Sequence, residues 1–278
     1  MQIAKISNRL GRGCLASDFI SLCLLLLVTV FASEELHAQR YSNSIASTEF
    51  DIITTGDPSC FEKLEHLGQR SEEMPDKTGE AGDLFQEAFV FLATFSDGTS
   101  VEMAIDADFG TLEIAQDEAK RYTDPLGRLP TLLRSDVKRL VVHKGGETTT
   151  AFSDVGLIVL YSGNASKRIN DNDLEETLFH ESVHASLDKE YAKSERWKRA
   201  QVADIGFATV YGKSKPELED LAESALLAFA VIHHPDRLPR EEIQYLREQI
   251  PNRILFIESL MPFGKPLTYT LRHEDKQQ

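Results

Sequence analysis

Residues 174–191 read LEETLFHESVHASLDKEY, and within them His180 and His184 stand four apart with Glu181 directly after the first. Four residues advance an α-helix by about 400°, so the two imidazoles lie one turn apart and only about 40° from each other around the axis. Both can reach one metal ion at the nitrogen distances zinc accepts. Glu181, roughly 100° further round, can reach a water on that ion without being a ligand. A carboxylate so placed is a general base for hydrolysis. The bland alternative is a solvated helix face on which two histidines fall by accident. A catalytic zinc takes three protein ligands and keeps one position for water, so a third His, Asp or Glu has to come from elsewhere in the chain.

Three sources can be compared by spacing. A glycine at residue 187 and a histidine at residue 190 would complete the metzincin pattern, but Leu187 and Glu190 stand there. Asp188 lies one turn beyond His184 and points nearly the same way, yet its side chain is too short to reach a metal already held by both histidines. The segment ELEDLAESALLAF, residues 217–229, offers Glu219 and Glu223 four apart on a predicted second helix. One of the pair can bind the metal while the other, a turn along, accepts a hydrogen bond from a ligand histidine.

HExxH followed after 35 residues by EDLAE resembles the gluzincins, zinc peptidases with HExxH on one helix and E-x-x-x-D/E on a later one. EDLAE is similar to the ENxAD-type segment of the neprilysin group, with Glu in place of Asp at its last position. The resemblance implies Glu219 as third zinc ligand and Glu223 as the hydrogen-bond partner of a ligand histidine. HASLDKEYA, and then VYG shortly before the acidic helix, are similar to the catalytic domain of lethal-factor-type peptidases over roughly residues 120–260. This likeness implies an edge strand above the metal on which an extended substrate is laid, here Gly156, Leu157, Ile158 and Val159. It also implies Tyr211 as the donor that stabilises the oxyanion, with His233 and His234 as alternatives by analogy with thermolysin.

These groups need a helix over the motif and a second one crossing it. Asp173 can cap the first with Glu176 three residues on, and Leu174, Leu178, Val183 and Leu187 give it apolar surface to bury. Onward from there, residues 194–212, 215–234 and 238–250 read as three further helices, punctuated by Pro235, Pro239 and Pro251. Upstream, two β-prone runs flank Ser96-Asp97-Gly98, a hairpin signal. TLEIAQDEAKRY has helical spacing, KRLVVHKG and GLIVLYSG read as strands, and residues 164–173 as a polar linker. Residues 39–83 mix a strand-like piece at 50–53 with a short helical pattern, and 69–83 reads as loop. The expected fold is α+β and zincin-like: a small mixed sheet with an edge strand over the cleft, an active-site helix and a mostly helical C-terminal half. Residues 39–110 form an N-terminal α+β region in this reading, and 111–278 the zincin-like domain.

With 278 residues, 41% of them hydrophobic, the chain can bury a sizeable core. Asp and Glu number 45 against 30 Lys and Arg, a net charge of −15 that matches phosphate backbones and anionic lipid poorly, so nucleic acid is not an expected partner. Lys5, Arg9 and Arg12 precede FISLCLLLLVTVFA, an uncharged run of 14 residues, where a spanning helix needs about 20. Residues 1–38 therefore read as a cleavable signal peptide, cut after Ala32 or Ala38, with an uncleaved anchor as the alternative. Cys14 and Cys23 leave with the signal, and Cys60 remains alone without an internal disulfide partner. The expectation is an exported, secreted or periplasmic, zinc-dependent endopeptidase acting on peptides or proteins, with no membrane span after signal cleavage. The alternative is an exported zinc-binding protein that keeps the fold and does not cut.

Overall fold

The computed structural model describes residues 40–45, 48–77 and 84–271; the expected signal peptide lies outside them. Six strands, β1 (Phe61–Glu73), β2 (Phe85–Phe95), β3 (Ser100–Asp106), β4 (Arg139–His143), β5 (Thr150–Phe152) and β6 (Leu157–Tyr161), form one mixed sheet in the order β1-β2-β3-β4-β6-β5. The expected hairpin joins β2 and β3, and Gly98 turns it with φ 85°, its amide donating to Phe95 O at 2.9 Å. β3, β4 and β6 run parallel to one another, whereas β1 and β5 are antiparallel additions at the two edges. Alternation sends Phe91, Met103, Leu140, Val142, Ile158 and Leu160 to the helical side and Val90, Ala104, Val141 and Val159 to a second apolar cluster.

Three local expectations are corrected. Residues 61–73 are a 13-residue strand rather than helix and loop; most of its side chains are exposed, so the charge-rich sequence of an edge strand shows no apolar period. Residues 50–53 form no strand. The buried Ile52 and Ile53 amides donate instead to Glu176 Oε1 at 2.7 and 3.0 Å. Within the 164–173 linker, a helix spans Ser162–Asn170, tied by Lys167 to Asp171 at 3.0 Å and by Arg168 to Asp173 at 2.8 Å.

In chain order the helices are α1 (Leu112–Arg128), α2 (Thr131–Arg134), α3 (Ser162–Asn170), α4 (Leu174–Leu187), α5 (Glu195–Ala203), α6 (Val210–Ser214), α7 (Asp220–His233), α8 (Arg240–Gln249) and α9 (Pro251–Leu260). The last was not expected, because Pro251 starts a helix from its first position instead of ending one. In α4 every residue except His184 and Ser186 is buried, which rules out the solvated face. Phe179 packs on Phe229 of α7 with ring centroids 4.9 Å apart, and burial of such a ring contributes about 1.5–3 kcal/mol. The capping box does not form: the Asp173 side chain makes no cap bond because Arg168 holds it, and Glu176 serves Ile52 and Ile53. The sheet draws strands from both sides of residue 110, and the described residues from Tyr41 onward make one compact unit. Among the described residues no helix is long and apolar enough to cross a membrane.

Candidate metal centre

His180 and His184 project from α4 towards Glu219, which is the N-terminal cap residue of α7. The two Nε2 atoms are 3.2 Å apart, and Glu219 Oε2 lies 3.5 Å from the first and 3.3 Å from the second. A tetrahedral ion with bonds of 2.0–2.1 Å spans about 3.3 Å between its ligand atoms, so the donor set fits such an ion closely. Among the described residues these three form the one group of His, Cys, Asp or Glu side chains close enough to hold a metal ion.

Each imidazole has a carboxylate behind it. His184 Nδ1 faces Asp188 Oδ2 at 2.7 Å, and His180 Nδ1 faces Glu223 Oε1 at 3.5 Å, long for a hydrogen bond. Asp188 so placed favours the proton on His184 Nδ1 and turns the Nε2 lone pair towards the common point, whereas His180 Nδ1 makes no hydrogen bond and has only the charge of Glu223 beside it. Glu223 thus lies behind His180, and Glu219 is the one of the two carboxylates that stands within metal-binding distance of both histidines. Asp188, rejected as a ligand because it is too short, has the reach needed for the nearer ring nitrogen.

Burial opposes charge on His184, but hydrogen bonds to Asp188 and Glu219 outweigh it and raise the imidazole to about 10. Burial raises Glu219, and the two imidazoles more than reverse this, holding its carboxyl well below the usual range. Metal would replace protons here, as deprotonated ligands require.

The centre floors a cleft of about 550 Å³. Glu181 borders it, 8% exposed; burial pushes its carboxyl up, while His180, His184 and Lys77 pull it down. Tyr211 also borders the cleft, and its hydroxyl donates to Glu219 Oε1 at 2.9 Å while accepting from Lys215 Nζ at 2.9 Å. His233 and His234 sit at the far end of α7, about 20 Å along a helix of this length; His233 Nε2 bonds Met261 O at 3.0 Å, and neither histidine borders the cleft.

The expected substrate strand needs correcting. β6 lies between β4 and β5, all five of its side chains are buried, and Gly156, Leu157, Ile158 and Val159 do not border the cleft. Its wall is Thr150 and Ala151 of β5, the true edge. Three residues in a threonine run carry too little periodicity to register as a strand. Further cleft groups carried no spacing signal, among them Lys77, whose ammonium donates to Thr148 O and Thr149 O at 2.9 and 3.0 Å, and Ser42, Asn43 and Ile45. No protein-family description, curated protein or solved structure matches this chain.

Proposed function

We propose that this protein is an exported zinc-dependent endopeptidase of gluzincin type. The observation that carries the reading is the triangle of His180 Nε2, His184 Nε2 and Glu219 Oε2, with edges of 3.2–3.5 Å, set beside a buried Glu181 in an open cleft. These three atoms would hold zinc, which when bound supplies Lewis acidity to the scissile carbonyl and lowers the pKa of the attacking water. Glu181 takes the proton from that water on its carboxylate and passes it to the leaving amine nitrogen. Its burial raises its proton affinity, which suits a group that must carry a proton between two steps. Tyr211, whose one hydroxyl proton is donated to Glu219 Oε1 before substrate binds, is the proposed donor to the oxyanion, that proton turning to it when the oxyanion forms. An extended peptide would add to the sheet at β5, so that backbone hydrogen bonds bind it largely independently of side chain.

Cleavage-site profiling with a peptide library, with and without a zinc chelator, tests the proposal. The wild-type protein should cleave and stop cleaving when chelated, and Glu181→Gln should keep its zinc while losing activity by about 10²–10⁴-fold. A zinc-loaded wild-type protein inert against the whole library would sink the peptidase reading and leave zinc binding alone.

A further inference from the structure

Residues 41–44, far from the motif in sequence, run beside the metal centre and bond to it at two places. Tyr41 forms a parallel bridge with Thr209; Tyr41 O accepts from Val210 N and Ser42 O from Tyr211 N, both at 2.9 Å. Ser44 N then donates to Glu223 Oε2 at 2.8 Å. The segment is itself anchored: Tyr41 is 5% and Ser44 0% exposed, the Tyr41 ring packs edge-on against Phe50 and Tyr245 at 6.3 and 6.1 Å, and its hydroxyl donates to Glu242.

We propose that residues 41–44 are a positioning strap for the metal centre, acting through Glu223 on His180 and through Tyr211 on Glu219. The inference rests on the metal-binding reading. Glu223 is 1% exposed, so its carboxylate has little water to satisfy it; the Ser44 amide occupies Oε2, and the Thr209 side chain, whose residue bridges Tyr41, hydrogen-bonds the same carboxylate. Oε1 then stands 3.5 Å from His180 Nδ1, the nitrogen that has no other partner, where its charge favours a proton on Nδ1 and a lone pair on Nε2. On the other arm, the strap fixes the Tyr211 backbone, and the Tyr211 hydroxyl holds the oxygen of Glu219 that does not face the histidines. Two of the three ligands are thereby oriented from one short segment. Both expected processing points, Ala32 and Ala38, precede residue 41, so either cut leaves the strap in place.

The test is a competition titration of zinc into the metal-free, otherwise full chain, together with the visible absorption of its cobalt(II) form. Ser44→Pro removes the donating amide and Ser44→Ala keeps it. The proline variant should bind zinc about 10–100-fold more weakly, with a changed cobalt spectrum, and the alanine variant should stay within about twofold of wild type. Equal affinity of Ser44→Pro and wild type, or equal weakening in both variants, overturns the strap. If circular dichroism shows the proline variant unfolded, Tyr41→Ala decides: weakened zinc binding in a folded protein supports the strap, and unchanged affinity overturns it. A folded wild-type chain that binds neither metal overturns the underlying metal reading as well, a result distinct from the others.

Discussion

At the scale of single residues, the centre depends on the direction of ring nitrogens. Each histidine presents Nε2 to the shared point because Nδ1 faces a carboxylate, Asp188 from the same helical run and Glu223 from α7. Asp188→Ala should therefore weaken zinc binding by about 10–100-fold while the far-UV circular dichroism is unchanged; undiminished affinity in a competition titration would contradict the assignment. His180 and His184 were legible in the sequence because helix geometry converts a spacing of four into a shared direction, whereas spacing left Glu219 and Glu223 open and only the family resemblance implied Glu219. The partner role of Asp188 was hidden by asking only whether it reaches the metal. Ser44 offered no signal, since its contribution is a backbone amide 179 residues from the carboxylate it serves.

At the scale of elements, the two crossing helices were readable and the edge of the sheet was not. α4 and α7 have long patterned sequences, whereas β5 has three residues and gains its identity from pairing with β6. The apolar run of β6 signals burial on both faces, which a strand flanked on both sides satisfies better than an edge does. Gly156 makes the junction into β6 possible. Its φ is 65° and an added Cβ would stand 2.2 Å from Asp136 O, while Gly156 O accepts from Lys138 N at 2.8 Å. Gly156→Ala should cost about 2–4 kcal/mol, combining left-handed strain with backbone overlap. Urea unfolding measures this, and a loss below about 0.5 kcal/mol, the size of an ordinary surface change, would contradict the close approach.

At the scale of the whole molecule, the residues before 110 supply three strands, the strap and the contacts made with the start of α4, none of which the motif announces. Glu176, 2% exposed in the first turn of that helix, accepts from the Ile52 and Ile53 amides. Burial raises its carboxyl from the ordinary 4.5 to about 7, more than the two amides lower it. The folded chain therefore holds a proton there that the unfolded chain releases, so this group's contribution is full below about pH 4.5 and is lost as pH rises through about 7. Between pH 5 and 8 the wild-type protein should lose up to about 3 kcal/mol relative to Glu176→Gln. Parallel stability curves for the two proteins would contradict the burial argument.

The central claim is that His180, His184 and Glu219 together hold one zinc ion. Metal analysis of the purified wild-type protein beside His180→Ala and Glu219→Ala tests it most directly. The account predicts one zinc per chain in the wild type and loss of it in each variant. Zinc retained in both variants, or none in the folded wild type, would contradict it.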